Sequence, residues 1–127
     1  MFSHVTVGTN DFGRAAAFYD AVLAILGHER FTSGDGHAGY GSPNGNQFWL
    51  LSPFDEAAAS PGNGSHVAFL APSRTAVRAF HAAALANGGS DEGPPGLRPH
   101  YHPNYYGAYV RDPDGNKIQA VCHRRED

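Results

Sequence analysis

The residues best suited to chemistry in this sequence are two histidines, His4 and His66, each of which opens a short apolar run. A neutral imidazole is a common ligand for divalent metal ions. One histidine on a strand is more often packed or hydrogen-bonded than a ligand. Two histidines at equivalent positions of a duplicated unit can converge when the two copies pair. The pattern therefore indicates a divalent-metal site shared by His4 and His66.

The duplication shows as constant offsets between matching residues, which is the first test of a repeat. An offset of 62 residues relates the first strand and helix of the two copies, and an offset of 70 relates their last turn. About eight extra residues therefore lie between Gly89 and Pro113 of the second copy. The matched pairs are His4 and His66, Val5 and Val67, Phe18 and Phe80, Leu23 and Leu85, Gly27 and Gly89, Pro43 and Pro113, Gly45 and Gly115, and Asn46 and Asn116.

Hydrophobic spacing predicts a helix in each copy, over residues 14–26 and 75–87, each between a capping residue and a glycine. The Gly- and Pro-rich stretch 93–99 is typical of a loop. Each copy therefore has the order β-α-β-β-β. We expect one α+β domain over residues 1–127, with module 1 at 2–54, a linker at 55–63 and module 2 at 64–123. The predicted strands are 2–7, 28–32, 37–41, 47–51, 66–70, a short one near His100, 105–111 and 117–122.

Strand alternation predicts the direction of each side chain. Val5 and Val7 should pack on the helix, so His4 points to the opposite side of the sheet, and the same argument applies to His66. Trp49 and Gln119 have the same parity on the last strand of each copy. If the two sheets curl around one cleft, all four side chains project into it.

Polar and aromatic side chains of the same parity form a second group of candidates. Tyr105, Tyr109 and Arg111 share one side of a strand, and the alternative interpretation is that they are surface and edge residues. Hydroxyls, imidazoles and aromatic rings on a cleft wall suit a small oxygenated or planar ligand. The candidate ligand-binding residues are Trp49, Gln47, His100, Tyr105, Tyr109 and Arg111.

Composition excludes several classes of function. The formal net charge is −3 and no basic patch is present, so we expect no nucleic-acid partner. No apolar run reaches 18 residues, and no leader of the basic-then-apolar type is present, so we expect no membrane partner. The single cysteine, Cys122, fits a reducing compartment, which indicates a cytoplasmic protein.

The arrangement resembles the vicinal oxygen chelate superfamily, which includes glyoxalase I, extradiol dioxygenases, and fosfomycin- and bleomycin-resistance proteins. The resemblance runs from His4-Val5-Thr6-Val7 to Gln119, and its most specific piece is the turn 112–116, Asp-Pro-Asp-Gly-Asn. It implies paired βαβββ modules forming a glyoxalase-like cup, a small-molecule substrate and a homodimer associated through the sheets. It also implies a divalent ion (Zn, Ni, Fe or Mn) held by residues on the first and last strands of the modules, here His4, His66 and Gln119.

Two positions depart from the metal-binding pattern that the resemblance implies. Gln119 stands where the family usually has Glu, and Trp49 stands where a fourth ligand would be. An amide oxygen is neutral, so it offsets less of the metal's charge, and it cannot act as a general base. Two functions therefore stay open. One is a metal-dependent enzyme, a lyase or isomerase, a ring-cleaving dioxygenase or a transferase, whose ion acts mainly as a Lewis acid. The other is a metal-free small-molecule binding protein of the bleomycin-resistance type.

Overall fold

The fold consists of two βαβββ units in succession, as the duplication predicts. A computed structural model describes residues 1–125, and all statements below refer to them. No helix in this range is long and apolar enough to cross a membrane. The elements are β1 (His4–Gly8), α1 (Phe12–Ile25), β2 (Arg30–Gly34), β3 (His37–Gly41), β4 (Gln47–Leu51), β5 (Val67–Leu70), α2 (Arg74–Ala86), β6 (Ser90–Leu97), β7 (Tyr106–Arg111) and β8 (Lys117–Cys122).

Each unit forms its own four-stranded mixed sheet, with the orders β1-β4-β3-β2 and β5-β8-β7-β6. The first and last strands of a unit pair in parallel and the remaining pairs are antiparallel. Neither sheet is closed, so β1 and β5 are edge strands at corresponding positions of the two sheets. This arrangement confirms the predicted α+β class and the paired modules.

The helices begin at capping side chains and pack against each other. Asp11 accepts a hydrogen bond from the Arg14 amide, and Ser73 accepts one from the Ala76 amide, which satisfies helix N–H groups that lack an intrahelical partner. The buried side chains of both helices belong to one continuous core. Across that core, the rings of Phe48 and Phe69 meet edge to face at 5.1 Å between centroids. The two units therefore share a single hydrophobic core.

The turn before β8 joins the two units through polar contacts. The buried carboxylate of Asp112 accepts hydrogen bonds from the backbone amides of Asp114 and Asn116, both at 2.9 Å, and from the hydroxyl of Tyr19 on α1. The Asn116 side-chain amide donates to the Gly8 carbonyl at 2.9 Å. This turn therefore orders its own loop and also connects module 2 to the end of β1.

The sequence prediction is wrong in one region, between residues 90 and 100. Residues 90–97 form strand β6, although they include Pro94 and Pro95 and overlap the stretch 93–99 predicted as a loop. The strand predicted near His100 is absent, because residues 99–101 form a turn. Proline is tolerated in β6 because this strand lies at the sheet edge, and its pairing with β7 shifts register between Gly93 and Gly96. The extra residues of the second copy thus lengthen an edge strand and the loop after it.

Burial confirms the predicted parity of the side chains in β4 and β8. It does not do so for all of β1, because Val5, which was predicted to pack on the helix, is 37% exposed, and of the predicted pair only Val7 packs against the core. Phe48 and Leu50 are buried against the helices, and Trp49 lies between them on the other side of the sheet. In the second sheet, Ile118 and Ala120 are in the core. Gln119, between them, is paired with Ala68 on one side and Tyr109 on the other. Trp49 and Gln119 therefore belong to the sheet surfaces that face away from the helices.

Candidate functional site

A hydrogen-bonded chain of three side chains, His66, Gln119 and Tyr105, lies on the side of the second sheet that faces away from the helices, called the outer surface below. The Gln119 side chain is fully buried. Its Oε1 lies 3.1 Å from His66 Nε2, and its Nε2 donates to the Tyr105 hydroxyl. Gln119 comes from β8, His66 directly precedes β5, and Tyr105 directly precedes β7. The β-sheet pairing of these strands brings together residues that are far apart in sequence.

The hydrogen bond to Gln119 fits one tautomer of His66. With the Gln119 amide in this orientation its oxygen accepts the bond, and His66 Nε2 is the donor. Both ends of the buried Gln119 amide are thereby satisfied by protein groups. The arrangement is a closed, neutral polar network, and it leaves His66 Nδ1 as the acceptor of that imidazole.

Tyr109 lies beside this network and has two cationic neighbours. Its ring centroid is 6.0 Å from that of His66. The Lys117 Nζ lies 5.3 Å and the Arg98 guanidinium carbon 5.7 Å from the Tyr109 centroid, both within the range of cation–π attraction. Burial raises the pKa of the Tyr109 hydroxyl, and the neighbouring hydroxyls of Tyr105 and Tyr101 raise it further. Tyr109 therefore remains a neutral hydrogen-bond donor across the physiological pH range.

Trp49 forms a separate aromatic group on the first sheet. Its indole nitrogen donates to Gln47 Oε1 at 3.0 Å. The ring of Phe31 meets the indole edge to face at 5.9 Å, and His37 lies 6.3 Å from it. Gly39 lies beneath this group, and a Cβ there would come within 3.0 Å of the indole. The first sheet thus presents an aromatic surface with no charged group among the residues named.

A cleft of about 720 Å³ runs between the edge strands β1 and β5. His4, Gln47 and His66 line it together with apolar side chains that include Phe48 and Phe69. The His4 Nδ1 is hydrogen-bonded to the Ser3 hydroxyl at 2.8 Å, and the His4 side chain is exposed. The structure therefore places both histidines of the predicted pair on one cleft. Trp49 and Gln119, which were predicted to project into the same cleft, are not among the residues that line it.

The remaining predicted residues lie at the periphery. His100 is exposed in a turn and packs on Tyr101 at 4.3 Å between ring centroids, and Tyr101 in turn packs on Tyr105 at 4.8 Å. Arg111 is ion-paired with Glu92 and donates to the Gly115 carbonyl at 2.9 Å. Neither residue contacts His66 or Gln119 directly. Any role of these two residues in ligand binding would be at the edge of the surface.

Sequence reasoning did not single out Lys117, Arg98, Phe31 or His37, which all belong to these surfaces. Lys117 is the only lysine in the sequence, and strand parity already puts it on the same side as Gln119. Its position on this side of the strand, and the absence of any other lysine, could have identified it as a candidate site residue. Nothing in the sequence pattern could place Arg98, because its position depends on hydrogen bonds to the Gly96 and Pro94 carbonyls at 2.9 and 2.8 Å.

As they stand, these residues do not fit a resident metal ion. In the tautomer that donates to Gln119, His66 Nε2 has no free electron pair for a metal. Neither the His66 imidazole nor the Gln119 amide supplies a negative charge. Within residues 1–125, no group of three or more histidine, cysteine, aspartate or glutamate side chains is close enough to hold an ion. The set of donor atoms around Gln119 is therefore neutral.

Comparisons with known proteins agree on one family. A profile of the Glyoxalase/Bleomycin resistance protein/Dioxygenase superfamily matches residues 1–120. A crystal structure of a glyoxalase/bleomycin resistance protein from Albidiferax ferrireducens T118 is similar at 45% identity and a TM-score of 0.87. The match covers 96% of this chain and 98% of that one. A search of curated protein sequences finds no match.

More distant structures share the fold. A glyoxalase-related enzyme from Fulvimarina pelagi is similar at 22% identity and a TM-score of 0.75, over 96% of this chain and 87% of that one. A lactoylglutathione lyase from Agrobacterium tumefaciens is similar at 19% identity and a TM-score of 0.67, over 96% and 92%. At these identities the similarity concerns the fold and not the activity.

Proposed function

Because the chain belongs to the glyoxalase/bleomycin resistance protein/dioxygenase superfamily, we propose that it is a metal-free protein that binds a small aromatic molecule. The ligand lies on the outer surface of the second sheet, against His66, Tyr105 and Tyr109. The aromatic surface around Trp49 and Gln47 on the first sheet is a second place where a planar ring could stack.

The observation that carries this proposal is the closed network of Gln119. The oxygen and the nitrogen of this buried amide are both bonded to neutral protein groups, and this neutral environment supports a surface that works without a metal ion. Tyr109 and Tyr105 next to it are half-buried, so they offer partly exposed aromatic surface with hydroxyl groups at its edge. Such a surface favours stacking on a planar ligand, with one or two hydrogen bonds to orient it.

The test is direct binding of a neutral aromatic probe to protein treated with EDTA. We expect saturable binding of N-phenyl-1-naphthylamine, measured by its fluorescence. The Tyr109→Ala variant should bind about tenfold more weakly, because it loses an aromatic contact area. Phe54→Ala is the matched control, since Phe54 is 99% exposed and is not part of either surface.

Two results would contradict this proposal. One is an absence of saturable binding by the EDTA-treated protein when binding appears after a divalent ion is added. The other is an equal loss of affinity in the Tyr109→Ala and Phe54→Ala variants, which would mean that the probe adheres to exposed apolar side chains in general.

The second candidate is the metal-dependent enzyme, and one distance favours it. Two ligands about 2.1 Å from one ion at a right angle stand about 3.0 Å apart, and His66 Nε2 and Gln119 Oε1 are separated by 3.1 Å. His4, on the same cleft, is the candidate third ligand. This function requires His66 to carry its proton on Nδ1 instead of Nε2.

Elemental analysis separates the two candidates. A stoichiometric ion after soaking in zinc, nickel, iron and manganese, lost in the His4→Ala/His66→Ala double variant, would support the enzyme. Protein that stays metal-free after the same treatment would eliminate the metal-dependent enzyme and leave the binding protein.

For either function we further propose a homodimer in the cytoplasm.

A further inference from the structure

We infer that the ligand of this surface is an aromatic anion, and that Lys117 binds its negative group. This inference rests on the proposed function and specifies the ligand class. The ring of the ligand would stack against Tyr109, and a carboxylate or a similar group would lie at the end of the surface where β8 begins.

The position of Lys117 is the first argument. It lies two residues before Gln119 on β8, so the two side chains share one side of the sheet. Its ammonium group lies 5.3 Å from the centroid of the Tyr109 ring, and the His66 ring lies 6.0 Å from the same centroid. A ligand in contact with Tyr109 is therefore within reach of both His66 and Lys117.

The charges around Lys117 are the second argument. Within residues 1–125, the ammonium group forms no ion pair and lies over the Tyr109 ring. Arg98 adds a second cation over the same ring, bound only to backbone carbonyls. Arg111, directly opposite Lys117 in the strand register, is already paired with Glu92. Two cations thus remain without a carboxylate partner on a protein whose net charge is −3.

Partial burial makes this excess of positive charge effective. Lys117 and Arg98 are both half-buried, so water screens them less than it screens fully exposed cations. A neutral aromatic ligand would leave both cations unpaired. An anionic ligand would pair with Lys117 and gain charge-assisted hydrogen bonds.

The test compares two nearly isosteric probes, 2-naphthoate and 2-naphthamide, by calorimetric titration and by displacement of N-phenyl-1-naphthylamine. We expect the naphthoate anion to bind about tenfold more tightly than the neutral amide. Lys117→Met should bring the ratio of the two affinities to about one, and Lys117→Arg should retain the preference for the anion. In about 0.5 M salt the preference of the unmodified protein should shrink. Arg30→Met is the matched control, because it changes the net charge equally on a residue whose partner is Asp20.

The outcomes distinguish this inference from the proposed function. If the neutral probes bind but naphthoate shows no preference, or Lys117→Met retains the preference, only the anion assignment is overturned. If none of the three compounds binds, the proposed function and the anion assignment both fail. Circular dichroism and thermal unfolding of each variant identify any change that comes from misfolding.

Discussion

Gln119 has two neighbours that decide what it can do, the donor nitrogen of His66 and the hydroxyl of Tyr105. A carboxylate in its place would bring a negative charge into a fully buried position. Without a metal that charge lacks full compensation, and with a divalent ion it becomes a strong ligand. The identity of this one residue therefore decides between a metal-free surface and a metal centre.

The Gln119→Glu variant tests this statement. We expect its affinity for Zn²⁺ or Ni²⁺ to exceed that of the unmodified protein by at least about tenfold, since the carboxylate both attracts the ion and stabilises it. Calorimetric titration measures the change. Asn87→Asp is the control, because it also replaces an amide with a carboxylate, and Asn87 lies at the end of α2, away from the cleft, where its side chain donates to the Ala83 carbonyl. Equal affinities of Gln119→Glu and the unmodified protein would show that residue 119 does not face a possible ion.

Buried tyrosines predict how stability depends on pH. Burial, followed by the contact with Asp112, raises the pKa of Tyr19 well above its usual value, and burial followed by the hydrogen bond to Asp20 raises that of Tyr40. The unfolded chain releases the two tyrosine protons at about pH 10, whereas the folded chain still keeps them at that pH. The native state then binds more protons than the unfolded state, so the free energy of unfolding falls as pH rises above about 10 and is unaffected by these groups below it.

The Tyr19→Phe variant separates the two contributions of that hydroxyl. At pH 7 it should unfold with a free energy lower by about 1–3 kcal/mol, because buried Asp112 loses a donor. Above pH 10 its stability should fall less steeply than that of the unmodified protein. Urea unfolding at pH 7, 9 and 11 measures both effects. Parallel curves for the two proteins would show that Tyr19 does not titrate differently on folding.

At the scale of elements, the hairpin between β3 and β4 contains a glycine that no other residue can replace without distortion. Gly41 has φ of 107°, and a Cβ there would lie 2.5 Å from the Asn46 carbonyl oxygen. Gly27, which follows α1, has φ of 91° but open space around its Cβ position. The two positions therefore share the cost of a left-handed backbone and differ in the steric clash.

This difference gives a matched pair of variants. Gly27→Ala should lower the free energy of unfolding by about 1 kcal/mol, the cost of the backbone conformation alone. Gly41→Ala should lower it by more, about 2–4 kcal/mol, because β3 and β4 must also separate locally. Thermal or urea unfolding measures the difference. A Gly41→Ala variant as stable as Gly27→Ala would mean that the hairpin relaxes freely.

Most elements follow from the sequence, and the exceptions have physical reasons. Apolar spacing and capping residues predict both helices to within two residues, and alternation predicts β3, β4 and β8 with their observed bounds. Strand β6 was not predicted, because Pro94 and Pro95 indicate the end of a strand unless that strand is known to lie at the edge of its sheet. Edge position is a property of the assembled sheet and not of the local sequence.

The candidate surface is partly predictable for a similar reason. Parity assigns Gln119, Tyr109 and Trp49 to the correct side of their strands. It does not show that Tyr105 reaches the Gln119 amide or that Arg98 covers Tyr109, since both contacts depend on the loop that follows β6. The duplication and strand parity, together with the resemblance to a family, led to the predicted metal ligands, and only the hydrogen bonds of the folded chain show that His66 is engaged with Gln119.

At the scale of the whole molecule, the unpaired edges β1 and β5 predict a homodimer. Phe2 and Leu70, on or beside these strands, are 76% and 70% exposed, and the edges also present unpaired backbone groups. Sedimentation velocity should show a dimer, and Leu70→Glu should shift it towards monomer. Phe54→Glu, which alters an exposed ring outside both edges, should not. A monomeric unmodified protein at micromolar concentration would contradict the expectation.

The bonds around the Asp112 turn have a consequence for how the chain could be divided. Tyr19, Gly8 and Asn10 of the first half all bond to residues of the turn 112–116, and Phe48 contacts Phe69 within the shared core. All of these contacts join residues outside the segment 60–64, so they can form even when the chain is cut within that segment. Two fragments expressed separately and divided there should recognise each other and assemble into the native fold, so the protein could serve as a split reporter whose halves are joined by noncovalent contacts alone.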